Sequence, residues 1–177
     1  MKHWKAALLG ITLLVQAAVP AWAGAQTATA IPAQPPTAAQ VEAMLKGVPG
    51  TVFPIGGFNE AYKDYFTGHT YLKGLSNNDK ISLANVTFIQ GAHTFWHKHH
   101  GSCQILVSES GSGYYQIWGQ KPVKVHPGET VTIPENVKHW HGAAPGSMYQ
   151  HLSIMAKDSS TEWLEPVDQA TFAALEK

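Results

Sequence analysis

The sequence predicts an all-β protein, built as a sandwich or barrel of short strands. From about residue 69 to 155, runs of strand-forming residues alternate with turns such as Gly111-Ser112-Gly113 and Pro127-Gly128. Several short strands at this spacing are typical of sandwiches and barrels. Six Trp and six Tyr among 177 residues favour the same class, because aromatic residues are enriched in strands. The hydrophobic content of 44% is high enough for the chain to bury a core.

The predicted strands cover residues 69–72, 80–88, 94–99, 104–108, 113–117, 123–126, 129–133, 139–143 and 147–155. Ahead of them, Thr37 has the character of an N-cap for a helix over 38–46, which Gly47 and Pro49 would end. A further helical turn is expected over 59–65. Residues 162–177 have mixed or helical composition.

The N-terminal region predicts export. Lys2 and Lys5 precede an apolar run over 6–19 that is too short to span a bilayer, and Ala21-Trp22-Ala23 fits a cleavage site. An uncleaved anchor is the alternative. The expected organisation is a signal peptide at 1–23, a flexible linker at 24–36, a helical segment at 37–59, a folded domain at 60–168 and a tail at 169–177. After cleavage we expect a periplasmic or secreted protein with no membrane association.

Charge and cysteine content exclude some partners. Lys and Arg together number twelve, all of them Lys, against twelve acidic residues, so the formal net charge is zero. Without Arg, the chain lacks the bidentate donor that proteins use for phosphates and guanine edges, and we expect no nucleic-acid partner. The single Cys103 excludes an intramolecular disulfide. We expect Cys103 to be buried and inert, with a redox-active thiol or an intermolecular cross-link as alternatives.

The spacing of histidines predicts a metal site. His97 and His99 lie two residues apart in a predicted strand, so their side chains project from the same face. Gln104 and His139 can complete the site if the intervening segments fold back as hairpins. The ligand types suit a divalent transition metal, whether Mn, Fe, Ni, Co or Zn. The alternative is that these histidines are surface or ordinary core residues.

The same residues resemble the two motifs of the cupin superfamily. The first runs from Gly91 through His97-x-His99-x4-Gln104 to Gly111 or Gly113, and the second is Gly128-x5-Pro134-x-Asn136-x2-His139. Within the superfamily, the chain resembles the small single-domain cupins of the carboxymuconolactone-decarboxylase-like and hydroxynitrile-lyase-like group. The resemblance covers about residues 60–168 and implies a jelly-roll β-barrel with the metal near its mouth. Gln104 stands where the motif usually has Glu, and Asn136 stands where it usually has Gly.

The resemblance also implies residues that act on a substrate. His141 should share the inward face of His139, and His151 matches a histidine in or near the pocket of the resembling proteins. Both are acid–base candidates, because imidazole titrates near neutral pH. The alternative for each is a hydrogen bond in the core.

The pocket walls can be assigned from strand alternation. Ala84, Val86 and Phe88 alternate along one predicted strand and would line a pocket with little room for a bulky substrate. Trp96 is a candidate for an aromatic wall of that pocket. At least two of Trp96, Trp118 and Trp140 are expected in the core.

These features favour an enzyme over a binding protein. Three neutral imidazoles and a neutral amide would leave a divalent ion with its full charge, which suits Lewis-acid chemistry on a small oxygenated molecule. We expect a lyase, decarboxylase or isomerase in which a nearby His moves a proton. A dioxygenase that uses O2 and a non-catalytic periplasmic cupin that binds a small ligand or metal are the alternatives. By analogy with cupins of this size, we expect a homodimer.

Overall fold

The structure, a computed structural model, describes residues 33–175. The expected signal peptide and the linker up to residue 32 lie outside the described residues. Within residues 33–175, no helix has the length and the apolar character needed to cross a membrane.

The described chain is mostly β-structure with short helices near its two ends. The first elements are α1 (Ala38–Leu45), β1 (Gly57–Phe58), a 3-10 helix (Glu60–Tyr65), β2 (Phe66–Thr67), β3 (Thr70–Asn77), β4 (Ile81–Phe88), β5 (His93–Thr94) and β6 (His97–His100). They are followed by β7 (Gln104–Gly111), β8 (Gly113–Ile117), β9 (Val123–Val125), β10 (Thr130–Ile133), β11 (His139–Ala143), β12 (Tyr149–Ala156), β13 (Ser160–Trp163) and α2 (Gln169–Ala173).

The strands form two antiparallel sheets. A six-stranded sheet has the order β1-β3-β4-β12-β7-β10. In a seven-stranded sheet, β11 pairs with β5 and β6 on one side and with β8 on the other, while β13 extends the β6 edge. Strands distant in the chain, such as β4 and β12, are neighbours throughout their length. This is the jelly-roll arrangement predicted from the cupin resemblance.

Two apolar clusters lie on opposite faces of the seven-stranded sheet. The inner cluster comprises Val86, Phe88, Ala92, Val125, Ala143 and Tyr149. The outer cluster comprises Trp96, Tyr114, Trp140, Ala144, Val167 and Phe172. Because Phe172 belongs to α2, the C-terminal helix covers the outer face of the sheet that carries the histidines on its inner face. Burial of Phe172 against the outer face of the sheet stabilises the sheet.

The N-terminal helix follows the prediction closely. The Thr37 side chain accepts from the Gln40 backbone, and the Gln40 side chain accepts from the Thr37 backbone, which completes a capping box. The helix ends at Leu45, one residue before the predicted end. Its buried residues Val41 and Leu45 pack with Tyr71 of β3.

The C-terminal region differs from the prediction. Residues 160–163 form β13, whereas a mixed or helical segment was predicted from 162 onward. The predicted strand over 94–99 is divided into β5 and β6, since Phe95 and Trp96 bond instead to Tyr65 and Glu165. Strand β13 is short, and its pairing with β6 places Trp163 opposite His97. A partner so distant in the chain leaves little local signal in the sequence.

Candidate metal centre and its cavity

Strands β6 and β11 bring the predicted histidines together. Along β6, His97 and His99 are buried and point to the same side, while Lys98 and His100 between and after them are half-buried. His139, the first residue of β11, lies directly opposite His97 in the antiparallel register. The alternation of strand side chains therefore places all three imidazoles on the inner face of the sheet.

The three imidazoles converge within bonding range of one small ion. Their potential ligand atoms all lie within 4.8 Å of one another. The ring centroids of His97 and His139 are 4.1 Å apart, and those of His97 and His99 are 5.0 Å apart. Three His ligands on two adjacent strands form half or more of a transition-metal coordination shell.

Hydrogen bonds fix which nitrogen of each ring faces the centre. Nδ1 of His97 donates to the Phe95 carbonyl at 3.0 Å, and Nδ1 of His139 donates to the Val137 carbonyl at 2.9 Å. A carbonyl oxygen can only accept, so the proton of each neutral ring is on Nδ1. Nδ1 of His99 contacts Thr161 Oγ1 at 3.1 Å. The Nε2 lone pairs are left for a ligand, as in metal-binding histidines whose other nitrogen is held by the protein.

Burial keeps these imidazoles neutral. It lowers the pKa of His139 to about 4 and that of His97 well below its usual value. The neighbouring imidazoles lower the pKa of His97 further, because a second positive charge nearby would be repelled. Burial also lowers the pKa of His99. Neutral imidazoles are the form that binds a metal.

Gln104 brings a fourth candidate ligand to the three imidazoles. Its Oε1 lies 3.1 Å from Nε2 of His139, while its Nε2 donates to Ser153 Oγ at 3.1 Å. With the His139 proton on Nδ1, two acceptor atoms face each other across that short distance. Within residues 33–175, the buried Nε2 of His99 also has no hydrogen-bond partner. A cation placed among these lone pairs would satisfy all of them, so the four predicted ligands fit a divalent metal.

The candidate centre opens into one cavity between the two sheets. Its volume is about 320 Å³, and its lining includes His97, His99 and Gln104. The opposite wall comes from β4, where Ala84, Val86 and Phe88 line the cavity as predicted. A cavity of this size suits a small organic molecule.

The predicted acid–base residues lie in the same cavity. His141 and His151 both line it, and their ring centroids are 5.0 Å apart. Burial lowers the pKa of His151 to about 4, and burial together with His151 lowers that of His141 well below its usual value. In the described part of the chain, neither nitrogen of His151 has a hydrogen-bond partner, and Nδ1 of His141 lacks one too. The alternative, a core hydrogen bond, therefore has no side-chain partner for His151 among the described residues.

Two predictions about neighbouring residues were wrong. Trp96 does not line the cavity: it packs in the outer cluster, edge-on to Trp118, because it directly precedes the inward-facing His97 and so points to the opposite face. Cys103 is exposed rather than buried, since it precedes the inward-facing Gln104 on β7. Trp96 and Trp140 are buried, however, whereas Trp118 is exposed, which confirms that two of the three lie in the core.

The sequence did not reveal three residues that support the centre. Thr161 contacts His99, and Ser153 accepts from Gln104. The Trp163 indole packs against His97 at a centroid distance of 4.9 Å and stacks on Tyr65 at 4.9 Å and 6°. Thr161 and Trp163 belong to β13, the strand that was not predicted. Their alternation on either side of Glu162 is the signal that could have indicated an inward face.

Comparisons with known proteins agree with this geometry. A family profile described as "Cupin domain" matches residues 84–151. The chain is also 37% identical over 109 residues to a protein named (R)-mandelonitrile lyase from Granulicella tundricola, covering 59% of this chain and 82% of that one. The chain belongs to the cupin superfamily.

Two solved structures share the fold. A cupin-like protein from Thermotoga maritima superposes on this cupin with a TM-score of 0.63 at 34% identity, covering 68% of this chain and 93% of that one. The polyketide cyclase RemF from Streptomyces resistomycificus superposes with a TM-score of 0.51 at 17% identity, and the match covers 72% of this chain and 86% of the RemF chain. The second likeness concerns the fold alone.

Proposed function

We propose that this cupin is a metal-dependent lyase that cleaves a carbon–carbon bond in a small hydroxy compound. One observation carries the proposal: a convergent, pre-oriented triad of imidazoles opens through His97 and His99 into a cavity that also holds His141 and His151, and in the described chain Nδ1 of His141 and both nitrogens of His151 have no hydrogen-bond partner. The likeness to a protein named (R)-mandelonitrile lyase supports this reaction class. It makes hydroxynitriles the first compounds to test.

His97, His99, His139 and Gln104 would hold the metal. All four ligands are neutral, so a divalent ion bound there keeps its full positive charge. When bound, such an ion supplies Lewis acidity towards a substrate oxygen. The ligand set suits Mn, Fe, Co, Ni or Zn.

His151 is the proposed proton carrier. Because burial holds its pKa at about 4, the ring is neutral near pH 7 and can accept a proton from the substrate hydroxyl. As the hydroxyl proton moves to His151, a carbonyl forms and the bond to the nitrile carbon breaks, with its electron pair leaving on cyanide. His151 then donates the proton to cyanide. The products are one carbonyl compound and hydrogen cyanide, so atoms and charge balance.

The remaining walls orient the substrate and exclude water. Phe88 packs at 5.5 Å from His151 and at 5.8 Å from His141, measured between ring centroids. This apolar wall keeps both imidazoles away from bulk solvent. Ala84 and Val86 leave space beside the centre for the organic group of the substrate. His141, between the triad and His151, is placed to hold a polar group of the substrate.

The test is turnover by protein of known metal content. Purified protein is loaded separately with each candidate metal, its occupancy is measured by mass spectrometry, and (R)- and (S)-mandelonitrile are supplied at acid pH, where spontaneous decay is slow. We expect release of benzaldehyde above background, with one enantiomer preferred. A parallel panel of hydroxy acids, oxo acids and lactones covers related carbon–carbon cleavage.

The same experiment separates the alternatives. A fully loaded protein that consumes O2 with any panel compound would indicate a dioxygenase. One that binds panel compounds without converting them would indicate a binding protein. Either result would contradict the lyase proposal.

Cellular setting and assembly stay predictions. Export to the periplasm is proposed from the expected signal peptide, and a homodimer is proposed from the cupin resemblance. Fractionation of the native host and sedimentation of the purified protein would test them.

A further inference from the structure

The mouth of the cavity is formed where β12 ends. Alternate residues of β12 point into the cavity, from His151 at the inner end through Ser153 to Met155. Lys157, just beyond the strand, continues this row and also lines the cavity. At about 3.3 Å per residue, this row extends roughly 20 Å from His151 to Lys157. The lysine therefore stands at the opposite end from the proposed proton carrier.

Contacts with the β3–β4 hairpin hold Lys157 across this mouth. Its ammonium donates to Asn77 Oδ1 at 2.6 Å, and its backbone N–H donates to the Lys80 carbonyl at 2.9 Å. Asn77 is the last residue of β3, so Lys157 connects the ends of β12 and β3. An ammonium has three donors, and after the bond to Asn77 others remain for a ligand.

The described side chains that line the cavity carry charge of one sign only, which is positive. Among the side chains lining it in the described chain, none is a carboxylate, and Lys157 alone carries a permanent charge. The acidic residues nearby face elsewhere. Asp79 lies beside Lys80 at 3.8 Å, and Glu162 pairs with Lys98 and His100 on the outer side of β13. Asp158 follows Lys157 in the sequence but does not line the cavity.

We propose that Lys157 selects substrates that carry a carboxylate remote from the reacting hydroxyl. A cleft lined by one sign of charge attracts the opposite charge, which raises the encounter rate and the affinity of anions. The inner end of the cavity would hold the hydroxyl, the apolar middle the carbon skeleton, and the mouth the carboxylate. The inference rests on the proposed function, because it takes this cavity as the substrate site. It narrows the substrate class from neutral hydroxy compounds to anionic ones.

The test uses two probes that differ only in that remote charge. Binding of 4-(6-hydroxyhexyl)benzoate and 4-(6-hydroxyhexyl)benzamide, which are long enough to extend from the inner end of the cavity towards Lys157, to metal-loaded protein is measured by calorimetry at low and at high salt. We expect Lys157→Gln to weaken the benzoate about five-fold at low salt, from the attraction of two charges near 4 Å in water, and to leave the benzamide unchanged. High salt should remove most of the difference. Lys157→Glu should weaken the benzoate further.

Lys80→Gln is the matched control. It makes the same change in net charge at the same rim, but the Lys80 side chain does not line the cavity. We expect it to change neither affinity. If Lys157→Gln and Lys80→Gln had equal effects on benzoate binding, or if the amide bound as tightly as the carboxylate to the wild-type protein, the inference would be overturned.

The outcome is separable from that of the proposed function. Binding of the benzoate that depends on Lys157, without any cleavage in the turnover panel, would refute the lyase and leave the anion site in place. If the protein cleaved mandelonitrile but Lys157→Gln did not change its affinity for the benzoate, the lyase proposal would stand and the anion site would be refuted.

Discussion

The imidazoles around the cavity fall into two groups with different surroundings. His97, His99 and His139 each have Nδ1 in a hydrogen bond with a neighbouring carbonyl or hydroxyl. His141 and His151 are equally buried, yet within residues 33–175 their Nδ1 atoms have no such partner. All five have a lowered pKa because of burial. The two groups therefore differ in whether a hydrogen bond at Nδ1 fixes the orientation of the ring, and not in charge. We call His97, His99 and His139 the held group, and His141 and His151 the unheld group.

The difference matches two chemical tasks. A ring held at Nδ1 presents a fixed Nε2 lone pair, which is what coordination of a metal requires. A ring free of protein partners can exchange a proton with a substrate. His93 shows that the hydrogen bond alone does not make a ligand. Its Nδ1 also donates to a carbonyl two residues earlier, at 2.9 Å, but it stacks on Phe172 on the outer side of the sheet. Convergence with other ligands is the second requirement.

The largest expected effect comes from breaking the held group. His139→Ala removes the imidazole that lies opposite His97 and contacts Gln104, so we expect loss of metal binding and of the proposed lyase activity. The two-sheet fold should remain intact, because the apolar clusters on both faces of the seven-stranded sheet are unchanged. Metal content by mass spectrometry and far-ultraviolet circular dichroism measure the two outcomes. Full metal occupancy in His139→Ala would refute the assignment of ligands.

The next effect comes from the unheld group. His151→Leu should leave metal content unchanged and lower kcat by about a hundred- to ten-thousand-fold, the usual contribution of a positioned acid–base residue. Leu suits the site because Phe88 and Tyr149 pack against the ring. Steady-state kinetics together with metal analysis of the same sample test this. Loss of metal together with activity would mean that His151 belongs to the held group.

His93 tests whether a buried histidine that is not a proposed metal ligand affects the pH dependence of the free energy of unfolding. Its pKa is lowered from 6.5 to about 4, so between these values the unfolded chain binds a proton that the folded protein does not. The free energy of unfolding should therefore fall as pH drops from about 6.5 to 4, with His93 contributing about 3 kcal/mol of the loss. We expect His93→Gln to remove that share.

Urea unfolding of metal-free wild-type and His93→Gln protein, at neutral pH and near pH 4, measures the difference. The metal-free form is needed because metal binding has its own pH dependence. An unchanged pH slope in His93→Gln would show that His93 already bears a proton in the folded state.

The sequence predicted the held group well and its supports poorly. Two-residue spacing on a strand is enough to place His97 and His99 on one face, and Asn136 adopts the left-handed φ of 63° expected where the cupin motif usually has Gly. Such local signals depend on a few neighbouring residues. They also gave most strand positions to within a few residues.

The errors have two physical origins, which are long-range strand pairing and the alternation of neighbouring side chains. Thr161 and Trp163 reach the centre through β13, whose partner β6 lies about sixty residues earlier, at a spacing that no local pattern reports. Trp96 was a candidate for the cavity wall, although it directly precedes the inward-facing His97, and neighbouring side chains of an extended segment point to opposite faces. Cys103 was judged by the usual burial of cysteine, although the next residue, Gln104, is the one that faces inward.

The smallest expected effect concerns a single hydrogen bond in the held group. Thr161→Val keeps the shape of the side chain and removes the hydroxyl that contacts Nδ1 of His99 at 3.1 Å. Loss of such an outer partner typically lowers metal affinity at least ten-fold, and we expect about ten-fold here because His97 and His139 keep their backbone partners. Competition with a chelator of known affinity measures this. Thr171→Val, which removes a hydroxyl bonded to Asp168 at the start of α2, is the matched control and should leave metal affinity unchanged. If Thr161→Val bound metal as tightly as the wild type, the orientation of His99 would not depend on its Nδ1 partner, and the distinction between held and unheld imidazoles would rest on the two backbone-bonded rings alone.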